Sequence, residues 1–153
     1  MTAPRPVRLQ RRRGKGFRIV EASRAANGLP GAGVTRPGPF SNPFHKGGWF
    51  RIGAAGEGLR WQAMAPELAK YDDRFALVPD NATAAALYAQ MIARHGPPAM
   101  AGMLAGLNLF CFCRLCPRHA KSGKPFDEDC PDCPPCHADA LGRAVLAMTC
   151  EEV

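Results

Sequence analysis

Six of the seven cysteines and two of the four histidines in this sequence fall between positions 111 and 137. They are Cys111, Cys113, Cys116, His119, Cys130, Cys133, Cys136 and His137. Thiolate and imidazole are the ligands of tetrahedral zinc, four to a site, so these residues suffice for one or two Zn2+ ions. A short Cys-x-x-Cys spacing suits the ion because one tight turn aims both sulfurs at a single point. Four thiolates also suit an iron–sulfur cluster, which makes iron the rival to zinc. Idle thiols do not bunch in this way, whereas Cys150 stands apart and reads as a free thiol.

The ligands divide in two ways. One division pairs Cys113-x-x-Cys116 with Cys130-x-x-Cys133 as a zinc ribbon, whose 13-residue spacer is slightly short of the usual pattern. The other gives Cys116, His119, Cys130 and Cys133 to a site of their own. It leaves Cys111, Cys113, Cys136 and His137 as a second constellation. The second division uses every candidate and keeps each group local, and we prefer it. Neighbours such as Cys136 and His137 seldom reach one metal together. His137 is therefore also a candidate catalytic group, with Asp139 placed to orient it. A helix starting here would favour a thiolate at Cys136 or a bound anion.

A second candidate constellation lies earlier. Arg36 and Asn42 sit among Pro37, Pro39 and Pro43, in a stretch too rich in proline for a helix. A stiff loop at a strand end is where α/β proteins place ligand groups. Arg36 could hold a phosphate or carboxylate and Asn42 could orient it. The plainer alternative is that Asn42 closes a turn and Phe44 packs on the core. His45 and Trp49 are near enough in sequence to add proton transfer or stacking, though each is more often structural.

Other chemistries are set aside. Zinc deaminases pair His-x-Glu with Pro-Cys-x-x-Cys; here no histidine has Glu two residues later, and His137-Ala138-Asp139 follows the cysteines. No phosphate-binding GxxxxGK[ST] loop is present, and Gly28 to Gly33 does not open a helix in the manner of a dinucleotide fingerprint.

The elements that must position these residues can be read from patterning. Val7 to Val20 alternates loosely and predicts a strand, a break at Gly14-Lys15-Gly16, and a second short strand or continuation. Gly33 to Pro37 predicts a short strand entering a turn. Leu59 to Ala65 reads as a short helix stopped by Pro66. Asp80 to His95 is the clearest helix, capped by Asp80 or Asn81, with Leu87, Tyr88, Met91 and Ile92 on one stripe. Gly96-Pro97-Pro98 ends it, and a short helix follows around 99–104. Leu107 to Phe112 is an apolar run of strand length that delivers Cys111 and Cys113. Residues 114–135 form a polar excursion without a core pattern, an inserted loop resembling a zinc knuckle. Ala138 to Met148 is the last helix, with Leu141, Ala144, Val145 and Met148 on one face. The sum is one small α/β domain over residues 1–153, a short sheet flanked by helices, with the knuckle projecting from one end.

Charge is unevenly spread. Residues 1–24 hold eight of the chain's 20 basic residues and one of its 13 acidic ones, which accounts for the whole net charge of +7. Such an arm could sit on phosphates, or it could be an edge strand whose arginines discourage pairing with other chains. No apolar run approaches the roughly 18 residues of a membrane helix, and the arginine-rich start lacks the apolar stretch of a signal peptide. The expectation is a cytoplasmic protein with no membrane partner, in a compartment where thiols stay reduced. An odd number of cysteines also argues against a closed disulfide framework. Asn81-Ala82-Thr83 matches a glycosylation acceptor by chance only.

Three segments together resemble a small uncharacterised bacterial and phage family, domain of unknown function 4326. The first is Val7-Arg8-Leu9-Gln10-Arg11-Arg12-Arg13 with Gly16-Phe17-Arg18. The second runs from Val34-Thr35-Arg36-Pro37 to Ser41-Asn42-Pro43-Phe44. The third is Leu107 to Cys113, rejoined at Cys136-His137-Ala138-Asp139-Ala140-Leu141. The family usually has Trp-Gly-Asn-Pro-Phe where Phe40-Ser41-Asn42-Pro43-Phe44 stands here, and Trp where Phe112 stands. Its members mostly join Cys-x-Cys to Cys-His by a short loop. The resemblance thus implies an ancestral constellation at Cys111, Cys113, Cys136 and His137 plus an inserted knuckle carrying the other four ligands; it implies no activity.

Two function classes follow. In one the domain is an enzyme or ligand-binding domain acting on a nucleotide or nucleic acid, with Arg36 and Asn42 on the ligand and His137 and Asp139 facing it. In the other the zinc is structural and the basic arm binds nucleic acid.

Overall fold

The apolar run at 107–112 becomes a strand buried at all four of its positions, Asn108–Cys111. A strand covered on both faces has no need of alternating polar residues. The computed structural model describes residues 4–35, 40–51, 75–98 and 100–151. In chain order its elements are β1 (Val7–Gln10), α1 (Ile19–Asn27), β2 (Gly31–Gly33), β3 (Trp49–Arg51), β4 (Phe75–Leu77), α2 (Asn81–His95), a 3-10 turn (Ala101–Leu104), β5 (Asn108–Cys111), β6 (Lys124–Pro125) and α3 (His137–Glu151). The architecture is α/β, as the patterning predicts.

The main sheet has the order β2-β5-β1-β6. β5 runs parallel to both β1 and β2, and β6 is antiparallel to β1. This corrects the reading of β1 as an edge strand, because it lies between β5 and β6. It also changes the picture of residues 114–135 as a pure projection. The excursion returns to the sheet to supply β6, and its Phe126 is buried in the main core. β3 and β4 form a separate antiparallel pair, tied to the buried Val78 by Gly47 N–H on its carbonyl at 2.9 Å and by its own N–H on the Gly48 carbonyl at 2.8 Å.

The second strand expected before Val20 is instead α1. Gly16 takes φ +91 in the turn that follows β1, a conformation costly for other residues. Ile19, Ala22 and Ala26 then recur at helical spacing, and they pack with Phe17 against Val7, Leu9 and Phe110. Gly28, in the left-handed region, stops the helix and donates to the Arg24 carbonyl. The strand expected at 33–37 lies two residues earlier, as β2, with Val34 and Thr35 buried just past its end. The helix expected at 59–65 lies outside the described residues.

α2 begins where the sequence places it. The Asp80 side chain accepts from Thr83 N–H at 2.7 Å and caps it. Leu87, Tyr88 and Met91 are buried on one face, packed with Leu141 and Val145 of α3 against Leu109 and Val34 of the sheet side. A buried polar knot fixes the other end of the sheet. Asn108 accepts from Val7 N–H at 2.9 Å and donates to Ser23 Oγ at 2.9 Å and Asn27 Oδ1 at 2.7 Å. One side chain thereby joins β5, β1 and α1.

Candidate metal centres

Cys116, His119, Cys130 and Cys133 converge. Their ligand atoms all lie within 4.8 Å of one another. The backbone explains why: His119 N–H bonds the Cys116 carbonyl at 3.0 Å and Cys133 N–H bonds the Cys130 carbonyl at 3.3 Å, two tight turns facing each other. Cys116 Sγ stands 3.2 Å from His119 Nδ1 and 3.9 Å from Cys130 Sγ, and His119 Nδ1 stands 3.4 Å from Cys133 Sγ. Tetrahedral zinc at ordinary bond lengths spaces two sulfurs by ~3.8 Å and a sulfur and nitrogen by ~3.5 Å, so the four atoms already stand at the spacing of one ion. The histidine tautomer fits as well. Nε2 faces the Glu128 carboxylate at 3.3 Å, which places the proton on Nε2 and turns the bare Nδ1 toward the sulfurs. Cys116 N–H also points at Cys133 Sγ, 3.3 Å away. Leu115 packs with the three cysteines as a small core of its own.

Cys111, Cys113 and Cys136 form a second group whose sulfurs lie within 4.8 Å of one another. β5 delivers the first and its exit the second; the start of α3 follows the third. Cys111 Sγ and Cys136 Sγ are 2.9 Å apart, closer than the ~3.8 Å of a tetrahedral centre, so metal entry would spread them by about an ångström. The thiols share protons. Cys113 accepts from Cys111 and from Cys136 and is drawn down to about 3, while Cys111, donating to Cys113, is pushed up to about 12 and Cys136 is raised well above its ordinary range.

His137 is not one of this group. Its Nε2 donates to the Val34 carbonyl at 2.8 Å, and its Nδ1 lies 3.8 Å from Cys136 Sγ. The Tyr88 ring meets it edge-on, with centroids 5.3 Å apart. Asp139 does not orient His137. Its two oxygens take Arg8 Nη1 and, at 3.1 Å, Lys124 Nζ. The Val34 carbonyl does the orienting instead.

Arg8 is the residue that sequence reasoning misplaced. It belongs to the basic arm by position, yet it is 0% exposed. Besides Asp139, its Nη2 donates to the carbonyls of Arg114 and Pro134, each at 3.1 Å. Those two residues bracket the knuckle. Burial works against the guanidinium charge, but Cys136, Asp139 and Cys111 outweigh it and raise its pKa. Lys124 is likewise buried. Alternation with Val7 and Leu9 puts Arg8 on the face opposite those apolar residues, so the pattern gives no advance sign of its burial. Among the described residues, two buried side-chain donors have no partner, Arg8 Nε and the Tyr88 hydroxyl.

The trithiol group opens on a cleft of about 450 Å³, lined also by Arg13, Thr35, Asn42, His45 and His137. Asn42 is therefore brought to the same cleft as His137, as the ligand-binding reading requires. Its amide is engaged in folding: Nδ2 donates to the Ala84 carbonyl at 3.0 Å and Oδ1 accepts from Phe44 N–H at 2.9 Å. Phe44 is buried in the core. Arg36 lies outside the described residues, as does the side chain of Trp49. Asp139 does not line this cleft and sits in the ion cluster with Arg8 and Lys124. At the mouth of the cleft, the half-exposed Phe112 ring carries the Arg13 guanidinium 4.6 Å from its centroid and that of Arg11 at 5.5 Å.

No helix among the described residues is long and apolar enough to cross a membrane. Comparison with known proteins finds no matching family model, no matching curated protein and no matching solved structure.

Proposed function

We propose that this chain is a zinc protein in which Cys116, His119, Cys130 and Cys133 hold a structural ion, and in which the cleft beside Cys113 and His137 binds a nucleotide or a related anionic ligand. The observation that carries the first half is the convergence of those four ligand atoms within 4.8 Å, with His119 fixed in the metal-binding tautomer by Glu128. Spacing around one point supports a single zinc ion over an iron–sulfur cluster, whose ligands embrace several atoms. Elemental analysis of protein purified under reducing conditions tests it. Zinc at one or two per chain, reduced by one in Cys133→Ser, is the expected result; iron, or no metal, overturns the assignment.

The ligand-binding half rests on Asn42, Thr35, Arg13 and His137 sharing one cleft. His137 is the residue placed to exchange a proton there, and Arg36 directly follows Thr35 in sequence. Residues from all three segments that resemble domain of unknown function 4326 line this cleft. Titration with nucleoside mono- and diphosphates should show binding that weakens in Arg13→Ala and His137→Ala.

A second reading is favoured by the exposed cations of the arm. Arg5, Arg12, Arg13, Lys15, Arg18 and Arg24 are exposed, and Arg13 lies over an exposed aromatic ring. On this reading the protein is a nucleic-acid-binding module and the zinc has no catalytic part. Affinity for nucleic acid must then fall steeply with added salt; a flat response removes this reading. Reduced thiols in both groups fit a cytoplasmic location, which fractionation would test.

A further inference from the structure

We propose that Cys111, Cys113 and Cys136 form an open, three-thiolate metal centre whose fourth coordination position faces the cleft and takes a small thiol as its ligand. This rests on the metal-binding reading of the chain and specifies what its second site is for.

Three observations carry it. The group offers three ligand atoms and no more within mutual reach among the described residues. All three cysteines border the same cleft, which at about 450 Å³ is of small-molecule size. A structural zinc site is closed by four protein ligands, while an open one keeps three and leaves a position for an incoming group.

Charge supplies the second argument. Arg8, Lys124 and Asp139 are all buried against this end of the sheet and sum to one positive charge. An uncompensated buried charge is costly. Three thiolates around a divalent ion sum to one negative charge, which balances it. Two buried donors at this end of the molecule, Arg8 Nε and the Tyr88 hydroxyl, have no partner. Tyr88 borders the group through His137, and Arg8 through the carbonyls of Arg114 and Pro134.

The ligand class follows from the donors. Zinc is borderline-soft, and three thiolates around it make a further sulfur donor a well-matched fourth ligand. A thiolate is such a donor and is anionic, and Arg13 stands at the cleft mouth to attract it. Coordination needs no oxidant: the thiol yields its proton to solvent and its sulfur bonds the metal.

Cobalt(II) in place of zinc tests this, because its visible absorption reports ligand type and number. The full chain, kept reduced with a phosphine, is expected to bind two cobalt ions. Adding 2-mercaptoethanol should intensify the sulfur-to-cobalt charge-transfer bands of one of them, and azide should not. The response should persist in Cys116→Ser and in His137→Ala, and vanish in Cys113→Ser, whose knuckle cobalt remains as an internal sign of folding. A single cobalt lost in Cys116→Ser would overturn this proposal and leave the knuckle intact. A single cobalt lost in Cys113→Ser would spare this site and sink the knuckle assignment. Loss of the second ion in His137→Ala shows a closed site and also overturns the proposal, as does an equal response to azide.

Discussion

Arg8 joins distant parts of the molecule. It neutralises Asp139 on α3, holds two carbonyls at the ends of the knuckle and sits on the central sheet with no exposure to solvent. Removing one partner of a buried ion pair strands the other, at a cost of about 3–5 kcal/mol. Arg8→Met should therefore lower the denaturant midpoint sharply, whereas Arg12→Met, at an exposed position of the same arm, should leave it almost unchanged. Asp80 gives a second prediction at this scale. Its hydrogen bonds from Thr83 hold its pKa below the ordinary carboxylate value. A carboxylate with a depressed folded pKa contributes stability above its unfolded value, near 3.9, and loses it as pH falls through the folded one. The Asp80→Ala penalty should thus be present at neutral pH and shrink below about pH 4, read from paired unfolding curves. The two cysteine-rich groups that could hold a metal were legible in the sequence because their spacing is a chemical signature. Arg8 and Lys124 were not, since a buried cation and a solvated one are the same letter. Only the partner, Asp139 more than a hundred residues from Arg8, tells them apart.

Elements were legible in proportion to how local their causes are. α2 was readable from its cap and its stripe, both within one segment. β5 was readable from an unbroken apolar run. α1 was not, because its apolar face is narrow and preceded by a strand of similar composition; Gly14 to Gly16 marked the break but not what followed. β6 has two residues, Lys124 and Pro125, and its identity comes wholly from pairing with β1. A test of this distant pairing lies at Gly142 on α3. A Cβ there would meet the Phe126 ring at 2.3 Å, so the knuckle docks on the helix only because the side chain is absent. Gly142→Ala should destabilise the domain by about 1–3 kcal/mol through overpacking, and Phe126→Leu should recover part of the loss. Thermal melts of the three variants decide this; a silent Gly142→Ala would show that Phe126 does not pack there.

On the scale of the molecule, metal and fold are expected to be one equilibrium. Residues 114–135 have four candidate metal ligands and a small core of Leu115, Cys116, Cys130 and Cys133, too little to hold a segment of that length by apolar burial. They are also wired into the sheet through β6 and into the core through Phe126. An ion that binds only the folded state stabilises it by mass action, about 4 kcal/mol at a thousandfold excess over Kd. Chelation should accordingly lower the Tm of the whole domain in a single transition. Local loosening of the knuckle with an unchanged Tm would show that the two parts are uncoupled.

The paired bonds from Arg8 to the Arg114 and Pro134 carbonyls have a consequence for chain length. They pin the two feet of the excursion side by side, so whatever is threaded between them meets the core through a fixed doorway. Closing a flexible loop becomes only about 0.6 kcal/mol harder with each doubling of its length. The doorway itself therefore sets little limit on the length of chain that passes through it, and the segment that passes here is long enough to return as β6 and to bring Phe126 to the core.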